Sequence, residues 1–550
     1  MTKEHDHHGA KYLTHQEIVP ILIGLMLGLF LAALDQTIVA TSIRTIGDEL
    51  NGLSLQAWVT TAYLITSTIT TPLYGKLSDI YGRKPLFIWA ISLFIAGSAL
   101  SAFASTMGML AFFRALQGIG AGGLFTLALA IIGDIVPPRE RSKYQAYFIA
   151  VFGSSSVLGP VVGGFLAGTD SILGLAGWRW VFFVNVPIGL IALYVVNRTL
   201  HIPNFKKVDH PLDWAGAISL STALVPLLLV AEKGREWGWT ETNSIACYAI
   251  SALGTIWFVR AESKIGDEAL IPLRLFKDKT FSLLTTIGVI TGMGMFGGLA
   301  VLPLYLQIVG GATPTEAGLQ LLPLTLGIMS GSVFSGQLIS KIGRYKMFPI
   351  LGSVLMTVGL AWMTLLTTDT QYIAIAGMSL LFGFGLGNLM QPTVLAVQNA
   401  VSPRDIGVAT SSVTLFRQLG ATLGTAIFLS LLFGGLPGNV GDRFATAAQD
   451  PAYQMAYQRD VIQASADGTI TEANAHLLEI NQGGDVFNDT SWIEQATPEL
   501  VRPIKDGFTD STVIVVLVGA LATAISIIFA FFVPNNRLRE RDEAYVPVAE

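Results

Sequence analysis

Charge is what this sequence has least of. Only 13% of its 550 residues are Asp, Glu, Lys or Arg, against roughly 25% in a soluble chain. With 52% of residues apolar, a water-soluble globular architecture is excluded. Cysteine is nearly absent. Cys247 is the only one, so no intramolecular disulfide forms, and its place in an apolar run reads as packing. No glycine-rich loop runs into Lys-Ser or Lys-Thr, so ATP does not drive the protein directly. No His/Glu metal cluster or nucleophile elbow is evident, which disfavours a membrane enzyme. His5, His7 and His8 lie in the polar stretch Met1 to Glu17. A disordered tail is the plainer reading there, and a metal site the alternative. That stretch is unsuited to a cleavable signal peptide, so the first apolar run is expected to act as an uncleaved anchor.

What is present is a succession of apolar runs of about 20 residues, with 57 glycines among them. Such runs spell a polytopic helical membrane protein. Fourteen spans are expected, at about 19–42, 56–75, 86–105, 108–134, 144–168, 179–198, 213–232, 243–261, 281–305, 317–339, 347–366, 371–397, 406–433 and 511–533. Basic residues such as Arg139, Arg141, Lys206, Lys207, Lys277, Lys279 and Lys346 collect in every second loop. They mark those loops as cytoplasmic and place both termini inside a cell membrane.

Between the second and third spans lies Gly75-Lys-Leu-Ser-Asp79-Ile-Tyr-Gly82-Arg83-Lys84. Gly75, Leu77, Gly82 and Arg83 recur 261 residues on as Gly336, Leu338, Gly343 and Arg344. This internal repeat implies two related halves of six spans with two spans inserted between them. The expected organisation is a tail at 1–18, a six-helix bundle at 19–200, and inserted helices and linkers at 201–279. A second bundle at 280–534 and a tail at 535–550 follow. Residues 434–510 form a long, acid-rich outer loop. Thr469 with Glu472, Ser491 with Glu494, and Thr497-Pro498 suggest short helices there. A solvated tether is the competing reading.

Ionisable groups inside spans are costly and by default functional. Asp35 is the leading case and Arg114 the second. Counting residues from the outer ends of their spans puts both about 10 Å below the outer surface, at matched depth. Burial opposes charge on Asp35 and a nearby cation favours it, so such a group can load and release a proton. A structural ion pair is the alternative. Gly118 and Gly122 form a face that admits a neighbouring helix. Span five carries Ser155, Gly159, Pro160, Gly163 and Gly164, and span ten a small face of Gly327, Gly331 and Ser335. Polar residues on apolar helices, Asn388, Gln391 and Gln398 on one face and Thr410, Thr414 and Arg417 on another, are expected to line a central cavity. Met293, Met295 and Phe296 would add a soft wall, or else face lipid. Span ten has no acid after Glu316, which weighs against dicationic cargo, and Arg417 makes anionic or zwitterionic cargo thinkable.

The turn around Asp79 resembles the cytoplasmic signature loop of the major facilitator superfamily. Gly159-Pro160 resembles the signature of its antiporter branch. With Trp178-Arg-Trp-Val-Phe-Phe-Val-Asn185-Val-Pro187 and the fourteen-span count, the chain resembles the fourteen-spanner drug:proton antiporters, the EmrB/QacA-like group. The resemblance implies an all-α integral membrane fold of two six-helix bundles plus two inserted helices. It implies export of amphipathic organic molecules in exchange for protons, with no cofactor and no nucleic acid. Proton coupling falls to Asp35 and Arg114. Gating falls to Gly75, Asp79, Gly82 and Arg83 and to the Gly159–Gly164 stretch. A monomer in contact with lipid is expected. An exporter of an endogenous lipid or secondary metabolite, and a non-transporting sensor or scaffold, are the alternatives.

Overall fold

In lipid every backbone polar group must be satisfied within its own segment, so apolar runs of spanning length become helices. The computed structural model describes residues 15–50, 56–201, 213–481, 492–493 and 495–538. The first half comprises α1 (His15–Glu49), α2 (Gln56–Tyr81), α3 (Arg83–Ala102), α4 (Met107–Ile135), α5 (Pro138–Ala167), α6 (Trp180–Phe183) and α7 (Asn185–Thr199). The inserted pair is α8 (Trp214–Trp237) and α9 (Thr242–Ile265). The second half comprises α10 (Lys279–Ile308), α11 (Pro314–Gln320), α12 (Leu322–Ile342), α13 (Met347–Met363), α14 (Tyr372–Ala400) and α15 (Ile406–Ala447). The small α16 (Pro451–Tyr457), α17 (Ala464–Ala466) and α18 (Glu472–Asn481) then precede α19 (Pro498–Phe532). A two-stranded hairpin, β1 (Ser171–Ile172) with β2 (Leu175–Ala176), leads into α6.

Among the described residues, eleven helices are long and apolar enough to cross a membrane, and Met347–Met363 is apolar but shorter. The repeat seen in the sequence is a repeat in space. Gly82 ends the turn between α2 and α3 at φ 95°, and Gly343 ends α12 before α13 at φ 70°. Only glycine adopts such angles without strain. In each half the signature helix packs on its fourth helix: α2 on α4, and α12 on α14. Helices α8 and α9 pack on each other, with α8 against α2 and α15.

Two small-residue faces find their partners within their own halves. Gly118 and Gly122 press on Tyr63 and Ser67 of α2, so the face that flanks Arg114 serves α2 and not α1. Gly327 and Gly331 meet Leu380 and Phe384 of α14. That pairing is within the second half and does not mirror span five.

The long outer loop also differs from expectation at its boundaries. The apolar stretch stops near Gly434, but α15 continues to Ala447, and α19 begins at Pro498, well before its apolar stretch. Water does not end these helices because they pair with each other. Arg443 donates twice to Asp510, at 2.7 and 2.8 Å, and Asn439 donates to Ser511 at 2.8 Å. Leu436, Val440, Leu500, Ile504 and Phe508 are buried between them. The cap proper is therefore 448–497. Within it Thr497 donates to Asp460 and Asn474 donates to Thr497, at 3.1 and 3.2 Å. Hydrogen bonding to Arg459 holds the Asp460 carboxyl below its usual range. Helix α18 is capped by Thr471, which accepts from the Asn474 amide, and not by Thr469. Thr497-Pro498 does start a helix. Ser491 and Glu494 lie outside the described residues.

Candidate functional site: a central cavity and a buried ion pair

Asp35 lies in the apolar middle of α1 and is fully buried. Its Oδ2 accepts from Arg114 Nη1 of α4 at 2.5 Å. Its Oδ1 accepts from Gln117 Nε2 of α4 at 2.9 Å and from Asn185 Nδ2 of α7 at 2.8 Å. The same Arg114 nitrogen donates to Gln117 Oε1 at 2.8 Å, and Asn185 donates also to Ser98 of α3 at 3.0 Å. The Arg114 guanidinium rests 4.2 Å from the Tyr63 ring centre on α2. The carboxylate of α1 thus binds groups from α4 and α7, Ser98 of α3 joins through Asn185, and α2 stacks on the counter-ion. Matched depth foretold the pair. It did not foretell Gln117, Asn185 or Ser98. Their only sequence signal was a polar side chain in an apolar run. Two buried atoms of this cluster have no hydrogen-bond partner, Arg114 Nε and Asn185 Oδ1.

Next to the cluster is a cavity of about 1080 Å³ between the two halves. Gln36 and Tyr63 belong to its wall, whereas Asp35 does not. The carboxylate therefore sits one residue behind the wall. From the second half the wall takes Met295, Met390, Arg417 and Gln418, and from the inserted α8 it takes Glu232 and Glu236.

Several expected wall residues lie elsewhere. Asn388 is buried between α14 and α12 and donates to the Phe384 carbonyl at 2.8 Å. Gln391 donates to the Gln145 carbonyl of α5 at 3.2 Å. Thr414 donates back to Thr410 on its own helix at 2.9 Å. Met293 packs against Gly424 of α15, while Met295 faces the cavity. The Phe296 side chain is outside the described residues. One face on a helix was read correctly, but its neighbour was another helix and not the cavity.

At the end of the bundle that carries Gly82, the halves are joined. Asp79 accepts from the Val408 amide at the start of α15 at 3.0 Å. It pairs with Arg83 at 2.6 Å, and Arg83 pairs with Asp134 at 2.7 Å. Gln398 donates to the Leu129 carbonyl at 3.2 Å and to Thr410 at 3.0 Å. Gly75 abuts Ser411 and the Gly407 carbonyl, and a side chain at Gly407 would meet Asp79 and Arg83. Arg274, in the linker after α9, reaches Asp405 at 2.9 Å. All these contacts lie below the Arg417 level, so the cavity is closed toward this end. It extends instead to Glu236 and Trp239, at the other end of α8.

On span five, Gly159 and Gly163 press against Thr37 and Thr41 of α1, and Thr37 donates to the Ser155 carbonyl at 3.0 Å. Gly164 faces open space, with nothing within 4 Å of an added Cβ, so it takes no part in this packing. The Pro160 side chain is outside the described residues.

Two helical halves around a central cavity, with a buried ion pair beside it, define a membrane transporter. The chain belongs to the Major Facilitator Superfamily, whose sequence model matches residues 25–425; its members are transporters and not enzymes. The chain is 32% identical over 525 residues to the multidrug transporter protein MdtP of Bacillus subtilis, covering 95% of this chain and 94% of that one. It is 34% identical over 466 residues to multidrug resistance protein 3 of the same organism, covering 82% and 88%. An Acurin A biosynthesis cluster MFS-type transporter of Aspergillus aculeatus is 31% identical over 414 residues, covering 74% of each chain. Among solved structures, the proton:xylose symporter XylE superposes with a TM-score of 0.58 at 15% identity, covering 96% of this chain and 99% of that one. That likeness is one of fold.

Proposed function

We propose that this protein is a proton-coupled antiporter that exports amphipathic organic compounds across the cell membrane by alternating access. The observation that carries the reading is the Asp35–Arg114 pair one residue behind the cavity wall. With Asp35 ionised, Arg114 compensates it. When a proton arrives, that attraction falls, and the three helices that meet at the carboxylate, α1, α4 and α7, are free to rearrange. Asn185 suits both states, because its amide donates to a carboxylate and its unpaired Oδ1 accepts from a carboxylic acid. Cargo need only bind one protonation state better to be exchanged for the proton. The relatives named for multidrug transport support drug-like cargo.

In this reading the chain crosses the membrane fourteen times, with both termini and the Asp79 turn cytoplasmic. To the eleven apolar helices are added α2, α10 and α13, each packed within a bundle. The protein acts as a monomer. The Asp79–Val408 contact is the cytoplasmic gate, and the cavity faces outward. Gly75, Gly82, Arg83, Gly159 and Gly163 assist closure by permitting close helix contact.

The test is cargo-induced proton release from purified protein across pH. Asp35→Asn is expected to abolish release and to leave some cargo binding. Arg114→Ala is expected to shift the release profile toward higher pH, because loss of an opposite charge favours the protonated form. Native stoichiometry in Asp35→Asn would place coupling elsewhere. A second reading, export of an endogenous metabolite, draws support from the biosynthesis-cluster relative. A growth-inhibition panel in a pump-deficient host separates the two. Drug tolerance that depends on Asp35 supports the first, and altered envelope composition without tolerance the second.

A further inference from the structure

The cavity holds a charge that the proton pair does not use. Arg417 projects from α15 into the space between the halves. Its main chain packs on Gly292 of α10, and the residue lines the cavity. Its guanidinium carbon lies 5.6 Å from the Phe125 ring centre. The other intramembrane arginine, Arg114, has Asp35. Arg417 has no such partner: among the described residues no carboxylate or carbonyl accepts from it. The wall acids do not serve, because Glu232 and Glu236 are exposed on α8 at the mouth, and Glu236 already accepts from Lys233 at 2.8 Å. The rest of the wall at the depth of Arg417 is apolar or neutral, with Phe152, Met295 and Met390 among it. A lone cation in such surroundings is expensive unless something pairs with it.

We propose that Arg417 is the recognition point for an acidic group on the cargo, so that the transported molecule is an amphipathic organic acid. The inference rests on the exporter reading and names its substrate class. A planar guanidinium matches a carboxylate with two parallel hydrogen bonds. The guanidinium also lies within cation–π distance of Phe125. The attraction acts in a cavity walled largely by apolar side chains, where Coulomb terms are stronger than at the exposed mouth. The apolar body of the acid then lies against Phe125, Phe152, Met295 and Met390.

The experiment measures binding of three matched probes to protein in nanodiscs: 11-(dansylamino)undecanoic acid, its methyl ester, and the corresponding terminal amine. The native chain is expected to bind the acid about tenfold or more tighter than the ester and the amine. Arg417→Gln is expected to remove that preference while leaving ester affinity within about twofold, and Arg417→Lys to restore part of it. Equal binding of acid and ester by the native chain overturns the inference, and so does binding of none of the probes. An acid preference that survives in Arg417→Gln overturns it too. If Arg417→Gln does not yield monodisperse protein, the acid-to-ester ratios of the native chain and Arg417→Lys decide. The same probes in proteoliposomes under a pH gradient test the underlying reading separately. Arg417-dependent acid binding without transport would sink the exporter and keep the site. Transport of ester and amine regardless of Arg417 would keep the exporter and sink the site.

Discussion

Asn185 is the residue whose role the sequence hid best. It stands in an apolar run before a proline, where it reads as a motif letter and nothing more. Its position between Asp35 and Ser98 gives it a physical task that a hydrophobic residue cannot perform. Asn185→Leu removes a donor to the carboxylate and the acceptor that a protonated carboxyl needs. Proton release is expected to weaken and its pH profile to change, since both protonation states lose a hydrogen-bond partner. Asn185→Gln, which retains both groups, is expected to recover part of the native profile. A native profile in Asn185→Leu would remove the residue from the coupling cluster. Asp35 and Arg114 were legible because a charge in an apolar run is conspicuous. Asn388, Gln391 and Thr414 were misplaced because a neutral polar group in a span can be satisfied by backbone carbonyls as readily as by a cavity.

At the scale of helices, the start of α15 and the turn after α2 behave as one closure. The Asp79 carboxylate holds the Val408 amide, and Gly407 leaves room for it. Gly407→Ala adds a methyl whose nearest neighbours are the tips of Asp79 and Arg83. It is therefore expected to loosen the closure and spare the fold. Asp79→Ala leaves the Val408 amide without its acceptor, a cost of roughly 1–3 kcal/mol if that amide stays buried. Both variants are expected to raise thiol labelling of Ser411→Cys, which the native contact with Gly75 protects. Unchanged labelling with lost transport would contradict a latch at this point. The sequence announced this turn through its repeat 261 residues later, because a positive-φ glycine is needed at both sites. It did not announce where α15 and α19 end. Hydropathy registers the lipid layer, and these helices persist beyond it on contacts such as Arg443 with Asp510.

For the whole molecule, the cap at 448–497 adds no apolar crossing, and the helices below it already pair without it. Replacing 451–496 by a Gly/Ser linker is expected to preserve membrane yield and monodispersity. Loss of folded protein on size-exclusion chromatography would refute that independence. Folded protein with failed export would assign the cap a part in cargo release.

Helix α15 runs unbroken from Ile406 to Ala447, through the latch at Val408, the cavity at Arg417 and the base of the cap. At 1.5 Å per residue, about 14 Å separates Val408 from Arg417 and about 45 Å separates Arg417 from Ala447. It is a lever with unequal arms. A tilt about the Arg417 level that moves the Val408 end by one ångström sweeps the far end by about three. Pro437, inside the long arm, is the joint at which such a sweep is either passed on or absorbed. The cap is thus geared to the Asp79–Val408 contact, and a label placed on it is expected to read, amplified, whether that distant contact is made.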